Sequence, residues 1–146
     1  MDDTAWTGLA VAVAALAAAT AFGLWRRRRD GRLRAAASSE PIPTVLTSLG
    51  VERGTPATLL QFSSAFCAPC RAVRLVCADV AKSVEGVRHV EVDAESHLEA
   101  VRELGIWRTP TVLVVDRGGR VVQRASGVPA KAQVIAAVAP LLEPAR

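Results

Sequence analysis

Ser63–Arg71 reads SSAFCAPCR: two cysteines two residues apart, with a proline just before the second. Such a pair can grip a metal, tie a structural cross-link, or exchange electrons with other proteins, and the flanking residues arbitrate. Before it runs ATLLQFS (57–63), an apolar stretch of the kind carried by a strand buried on both faces. After it a helix is predicted from about Ala68 to Val84, because Val73, Cys77, Val80 and Val84 recur at spacings of four, three and four. The pair therefore falls where a central strand ends and a helix begins.

That placement weighs against two of the three uses. A structural zinc takes four ligands, usually two such pairs or one pair with two histidines. Here only Cys77, His89 and His97 remain, with no second pair, and both histidines lie in other elements. No metal is expected. A structural disulfide between Cys67 and Cys70 closes a very small loop and removes little unfolded-state entropy. Exchange chemistry fits better. Cys67 at the helix amino terminus meets unpaired N–H groups and the positive end of the helix dipole, which favour its thiolate. Cys70, one turn on, is within bridging distance and suits the resolving role. Pro69 falls in the first helical turn, where its missing N–H does no harm. Cys77 lies on the apolar stripe of the same helix, about 10 Å from Cys70 at 1.5 Å per residue, too far to bridge, and is expected to be a core thiol.

Outward from the pair, PTVLTSLGV (43–51) reads as a short amphipathic helix and GVRHVEVD (86–93) as an alternating strand. With the helix between them, the two strands must run parallel. Ser96 and Glu99 form a capping-box pattern opening a helix through Leu104. TVLVVDRGGRVVQRA (111–125) is a hairpin around Asp-Arg-Gly-Gly, and AKAQVIAAVAPLL (130–142) a closing amphipathic helix. A parallel unit, an antiparallel hairpin and intervening helices predict a mixed sheet covered on both faces. GIWRTPT (105–111) places Thr109-Pro110 immediately before an apolar strand, a position where proline is tolerated and where a cis bond suits the tight entry. His89 is expected at the surface of its strand and His97 in solvent.

The net charge of +4 is local in origin. Arg26, Arg27, Arg28, Arg29, Arg32 and Arg34 fall within nine residues; from residue 35 onward twelve basic side chains face eleven acidic ones, so a nucleic-acid partner is not expected. The cluster follows Ala5–Trp25, twenty-one residues without a charge. At 1.5 Å per residue this spans about 30 Å, the hydrocarbon thickness, with Trp6 and Trp25 near its ends. A cleaved signal peptide would need a basic start, and this chain begins Met1-Asp2-Asp3. The expectation is an uncleaved anchor in residues 1–25, a basic juxtamembrane linker over 26–42 and a folded domain over 43–146. Positive charge stays cytoplasmic, so the domain is expected in the cytoplasm, where a purely structural disulfide would tend to be reduced.

Taken together, LLQFSSAFCAPC, VEVD, GIWRTPT and the hairpin ending at Gly127 resemble the thioredoxin family over residues 43 to 142. The resemblance implies an α/β fold with a mixed sheet flanked by helices. It implies Cys67 as nucleophile, Cys70 as resolver and Pro110 cis beside them. It also implies a groove in which a target's backbone pairs with Thr109. Phe66 stands where the family usually carries Trp, and Trp107 lies on the implied docking face. The inter-cysteine pair Ala-Pro is similar to that of the reducing members. Gln61 occupies the place of a buried acid thought to deprotonate the second cysteine, His89 stands where a lysine is familiar, and Leu75 replaces a helix-kinking proline.

The expected activity is protein-disulfide reduction, with no bound metal or organic cofactor, disulfide-containing proteins as targets, and a thioredoxin reductase or small thiol as electron donor. Two alternatives stay open: an adaptor of this fold with decayed exchange activity, and an outward-facing tethered redox protein of the cytochrome-maturation type.

Overall fold

A computed structural model describes residues 3–36 and 43–143 and divides the chain into two compact units, Met1–Asp30 and Gly31–Arg146. The first is one helix, α1 (Asp3–Arg29). Its segment Trp6–Arg29 contains an eighteen-residue stretch of mean hydropathy 1.9 and is long and apolar enough to cross a membrane. Leu9, Val11, Val13, Leu16 and Phe22 stand exposed along it. The helix continues past Trp25 through all four arginines. The Arg29 guanidinium lies 4.1 Å over the Trp25 ring, which in turn meets Phe22 at 5.9 Å.

The second unit contains β1 (Arg34–Ala35), α2 (Pro43–Ser48), β2 (Ala57–Ser63), α3 (Ala68–Ser83) and β3 (Val87–Asp93), then α4 (Leu98–Glu103), β4 (Thr111–Asp116), β5 (Val121–Ser126) and α5 (Lys131–Leu142). The sheet order is β1-β5-β4-β2-β3. β2 and β3 run parallel because α3 carries the chain back to the starting edge; the other neighbours are antiparallel. β4 and β5 form the expected hairpin, with a register shift at Val114/Val115.

Alternation along the strands builds a core on each face. Leu60, Phe62, Leu113 and Val115 point to one side, where they meet Leu46, Leu49, Ala100, Leu104 and Ile106 from and around α2 and α4. Ala57, Leu59, Val112 and Val114 point to the other, against Val73, Cys77 and Val80 of α3 and Val134, Ala137 and Val138 of α5. With helices on both sides every residue of β2 is buried, which is why that strand reads as one apolar run.

Two expectations change. The segment 26–42 is not linker throughout: Arg26–Arg29 are helical, and residues 31–36 belong to the compact unit, ahead of the domain start at 43. Arg34 and Ala35 pair antiparallel with Arg124 and Gln123 of β5. A two-residue edge strand has no periodicity to betray it; its pairing is dictated by the open edge of β5. Residues 37–42 of that segment lie outside the described residues, as do residues 1, 2 and 144–146. Nor does Ser96 cap α4: His97 occupies the N-cap without a side-chain cap bond, while the Ser96 hydroxyl donates to Asp93 Oδ2 at 2.5 Å. The carboxylate at the end of β3 outcompetes the helix amide.

Candidate redox site at a strand-to-helix junction

β2 ends at Ser63, and four residues later the chain enters α3 with Cys67 as its N-cap, at φ −97° and ψ 93°. The Cys67 side chain makes no cap hydrogen bond to the first amides of the helix, and Pro69 lies in its first turn. Cys67 and Cys70 are disulfide-bonded, with Cα atoms 5.3 Å apart. The Cys70 amide donates to the Cys67 carbonyl at 3.1 Å. Cys67 is partly exposed whereas Cys70 is 2% exposed. The more exposed of the two cysteines is therefore the one at the amino-terminal, positive end of a sixteen-residue helix.

The second motif is brought to the first by the sheet. Because β4 starts opposite the end of β2 (Phe62 pairs with Thr111), the loop before β4 arrives beside the cysteines. The Ser64 and Thr109 hydroxyls lie 3.0 Å apart, and Thr109–Pro110 is a cis peptide. The Thr111 hydroxyl donates to the Arg108 carbonyl at 2.7 Å, and the Gly127 amide to the Pro110 carbonyl at 2.9 Å, which tie the loop to its own strand and to the end of β5. Phe66 and Trp107 are 99% and 95% exposed, so neither has a packing role within the chain.

Behind the pair, on the α3 face of the sheet, lies a polar network. Gln61 is fully buried, and its Nε2 donates to the Cys70 carbonyl at 3.0 Å and to Ser63 Oγ at 2.9 Å. A backbone carbonyl can only accept, which orients the amide and leaves Oε1 towards His89 Nε2 at 3.1 Å. That nitrogen must therefore carry the imidazole hydrogen. The Ser63 hydroxyl passes its hydrogen to Glu91 Oε1 at 2.7 Å, and Arg74 pairs with both oxygens of Glu91 at 2.5 and 2.7 Å. No buried side-chain nitrogen or oxygen lacks a partner among the described residues.

His89 is thus not the surface residue expected of it. It is half-buried, and burial pushes its pKa below the ordinary 6.5, with Glu91 acting against that shift and Arg74 adding to it. Arg74 holds the Glu91 carboxyl below its ordinary 4.5, with help from the Ser63 hydrogen bond. Glu91 escaped the sequence reading. The signal was there: Gln61 and Ser63 are two apart on β2, His89 and Glu91 two apart on β3, and parallel register sets Gln61 against Glu91. His97 accords with its expected exposure, and its Nδ1 lies 2.9 Å from the Asp93 carbonyl.

Cys77 is fully buried in the α3 face of the core, free of any disulfide. Burial, followed by the nearby Glu91 charge, pushes its thiol up to about 12, which keeps it protonated and unreactive. Among the described residues no group of three or more His, Cys, Asp or Glu side chains could hold a metal ion.

Known proteins align with this chain over the same region. The family model described as Thioredoxin matches residues 50–140. A thioredoxin from Alicyclobacillus acidocaldarius subsp. acidocaldarius is 29% identical over 92 residues, which is 62% of this chain and 87% of that one. Among solved structures, chloroplastic thioredoxin z superposes with a TM-score of 0.57 at 19% identity, over 70% of this chain and 90% of that chain. A single-substitution mutant of thioredoxin from Halobacterium salinarum NRC-1 does so with a TM-score of 0.60 at 17% identity, over 77% of this chain and all of that one. At these identities the structural likeness establishes the fold, and the family match rests on the sequence.

Proposed function

The chain belongs to the thioredoxin family, and on that premise we propose that it is a membrane-anchored protein-disulfide reductase working through Cys67 and Cys70. The observation that carries the reading is the difference between the two sulfurs: Cys67 is accessible at the N-cap of α3, and Cys70 is buried one turn behind it at a Cα separation of 5.3 Å. In the reduced protein the Cys67 thiolate attacks one sulfur of a target disulfide. The S–S bond breaks, its other sulfur leaves as a thiolate, and a Cys67–target disulfide forms. The Cys70 thiolate then attacks Cys67, the mixed disulfide breaks, and the target leaves with two electrons and, after protonation, two thiols. Cys67–Cys70 is left oxidised, as the structure has it, and a thioredoxin reductase or a small thiol returns the two electrons.

Thr109, next to cis Pro110, is read as the backbone pairing point for the target, and exposed Phe66 and Trp107 as its apolar anchors. Residues 5–25 are read as the membrane anchor. The arginines that follow are read as keeping the redox domain on the cytoplasmic side, since positive flanks resist translocation. An impermeant maleimide directed at a cysteine introduced at exposed Arg32 in intact cells tests the orientation: protection is expected, and labelling from outside would turn the domain outward, as in cytochrome-maturation proteins.

Reduction of insulin disulfides followed by turbidity tests the chemistry. Wild type is expected to turn over, Cys67→Ser to be inactive, and Cys70→Ser to accumulate a mixed disulfide with its target. Gln61 favours a second reading, since an amide cannot take a proton from Cys70. Absence of any Cys67-dependent turnover would make the chain an adaptor of this fold.

A further inference from the structure

The point at which the chain enters the redox domain lies at the same end of the sheet as the cysteine pair. β1 runs antiparallel to β5, so residues 31–36 descend from the carboxyl end of β5 towards its start. The Gly31 amide donates to the Ser126 carbonyl at 2.6 Å, and the Ala36 amide to the Val122 carbonyl at 3.1 Å. Gly31 has φ +76°, and a Cβ there would run into the Val128 carbonyl, so only glycine fits this entry. The amide that follows the Ser126 carbonyl, that of Gly127, donates to the Pro110 carbonyl. Two hydrogen bonds and one peptide step thus lead from the entry point to the cis proline beside the cysteines.

Gly31 is separated from the cysteine end of β2 by three strand spacings in the order β1-β5-β4-β2, which at ~4.8 Å each is about 15 Å. Had the chain entered at the opposite end, the seven-residue length of β2 would add about 23 Å along the strand. The tether is equally short. Asp30 alone separates Arg29, the last residue of α1, from Gly31. Arg26–Arg29 carry the helix about 6 Å beyond Trp25, roughly the depth of one headgroup layer. With one residue between α1 and Gly31, the cysteine end of the sheet stays within about 15–20 Å of the end of α1 at any orientation of the domain.

We infer that the substrates of this site are disulfides of other membrane proteins held close to the bilayer surface, and that the short entry at Gly31 excludes disulfides standing farther out. The inference rests on the anchored-reductase reading above. It adds a substrate class: a juxtamembrane disulfide, presented within reach of a site that cannot leave the surface.

The test uses the full chain in liposomes, supplied with a reductant, and three disulfide peptides. One is soluble, one is fused directly to a transmembrane helix, and one is fused to the same helix through a rigid helical spacer of about 60 Å, roughly forty residues. The close reporter is expected to be reduced about tenfold faster than the distant one. A variant with about thirty Gly/Ser residues inserted between Asp30 and Gly31, adding a mean reach near 30 Å, is expected to bring that ratio close to one while turning over the soluble peptide at the native rate. Equal rates on close and distant reporters by the native chain, with soluble turnover intact, overturn the inference alone. No turnover of any peptide overturns the reductase reading, and extraction of the chain by a carbonate wash overturns the anchor; either takes the inference with it.

Discussion

Gln61, fully buried beneath the cysteine pair, donates its side-chain amide to the backbone carbonyl of Cys70 at 3.0 Å. The contact pins the first turn of α3 to the centre of the sheet, and the same amide serves Ser63 and His89. Truncation by Gln61→Ala removes one partner each from the Cys70 carbonyl, from Ser63 Oγ, which keeps its bond to Glu91, and from half-buried His89 Nε2, at about 1–3 kcal/mol for a buried group left unsatisfied. Urea unfolding of the reduced domain should show a loss at or above that range. An unchanged midpoint would mean that water replaces the amide freely.

The half-buried His89 makes stability depend on pH in a defined window. Burial lowers its folded pKa below the ordinary 6.5, so between those two values the unfolded chain binds more protons than the folded one. Stability is full above about pH 6.5 and falls as pH drops through the window. In His89→Gln this slope should vanish. The loss from Glu91, whose carboxyl Arg74 holds below 4.5, should persist at lower pH. Chemical denaturation between about pH 7.5 and 3.5 separates the two, and an identical slope near pH 6 in wild type and variant would remove His89 from the account.

Cys77 should be silent in the folded state. With its thiol pushed up to about 12 and no exposed surface, iodoacetamide at about pH 8 should label reduced Cys67 within minutes and leave Cys77 untouched until denaturant is added. Mass spectrometry of the peptides reads this directly. Comparable labelling of Cys67 and Cys77 in native buffer would show that α3 opens readily.

Phe66 and Trp107 touch little of their own chain, so Phe66→Ala and Trp107→Ala should leave the melting temperature unchanged. Each is expected to raise KM for a protein disulfide by about three- to tenfold, near 1 kcal/mol of lost apolar contact. Turnover of a small disulfide such as cystine should be unaffected. Equal losses on both substrates would assign the aromatics to the chemistry rather than to docking.

Much of the fold was legible because its signals are local. The continuous apolar run of β2, the 3.6-residue stripe of α3 and the turn residues of the β4–β5 hairpin each specify an element through their immediate neighbours. Cys67 and Cys70 were legible for the same reason, since their spacing and junction lie within one short stretch. Ser96 failed as a cap although its local pattern was right, because Asp93, three residues before it, offered a stronger acceptor. His89 was misjudged because burial on a half-covered strand depends on what α3 lays over it.

The chain's own order of residues determined that one cysteine would stand at the mouth of a helix with a second one turn behind, and that an apolar, arginine-terminated helix would precede the domain. Only the tertiary structure decided that Gln61, Ser63, His89 and Glu91 join behind that pair, that Ser64 meets Thr109, and that Gly31 enters the sheet at the end that carries the cysteines. These are relations between strands, set by sheet register and by which edge remained open for β1. Such long-range pairing leaves no mark in the spacing of residues along the chain.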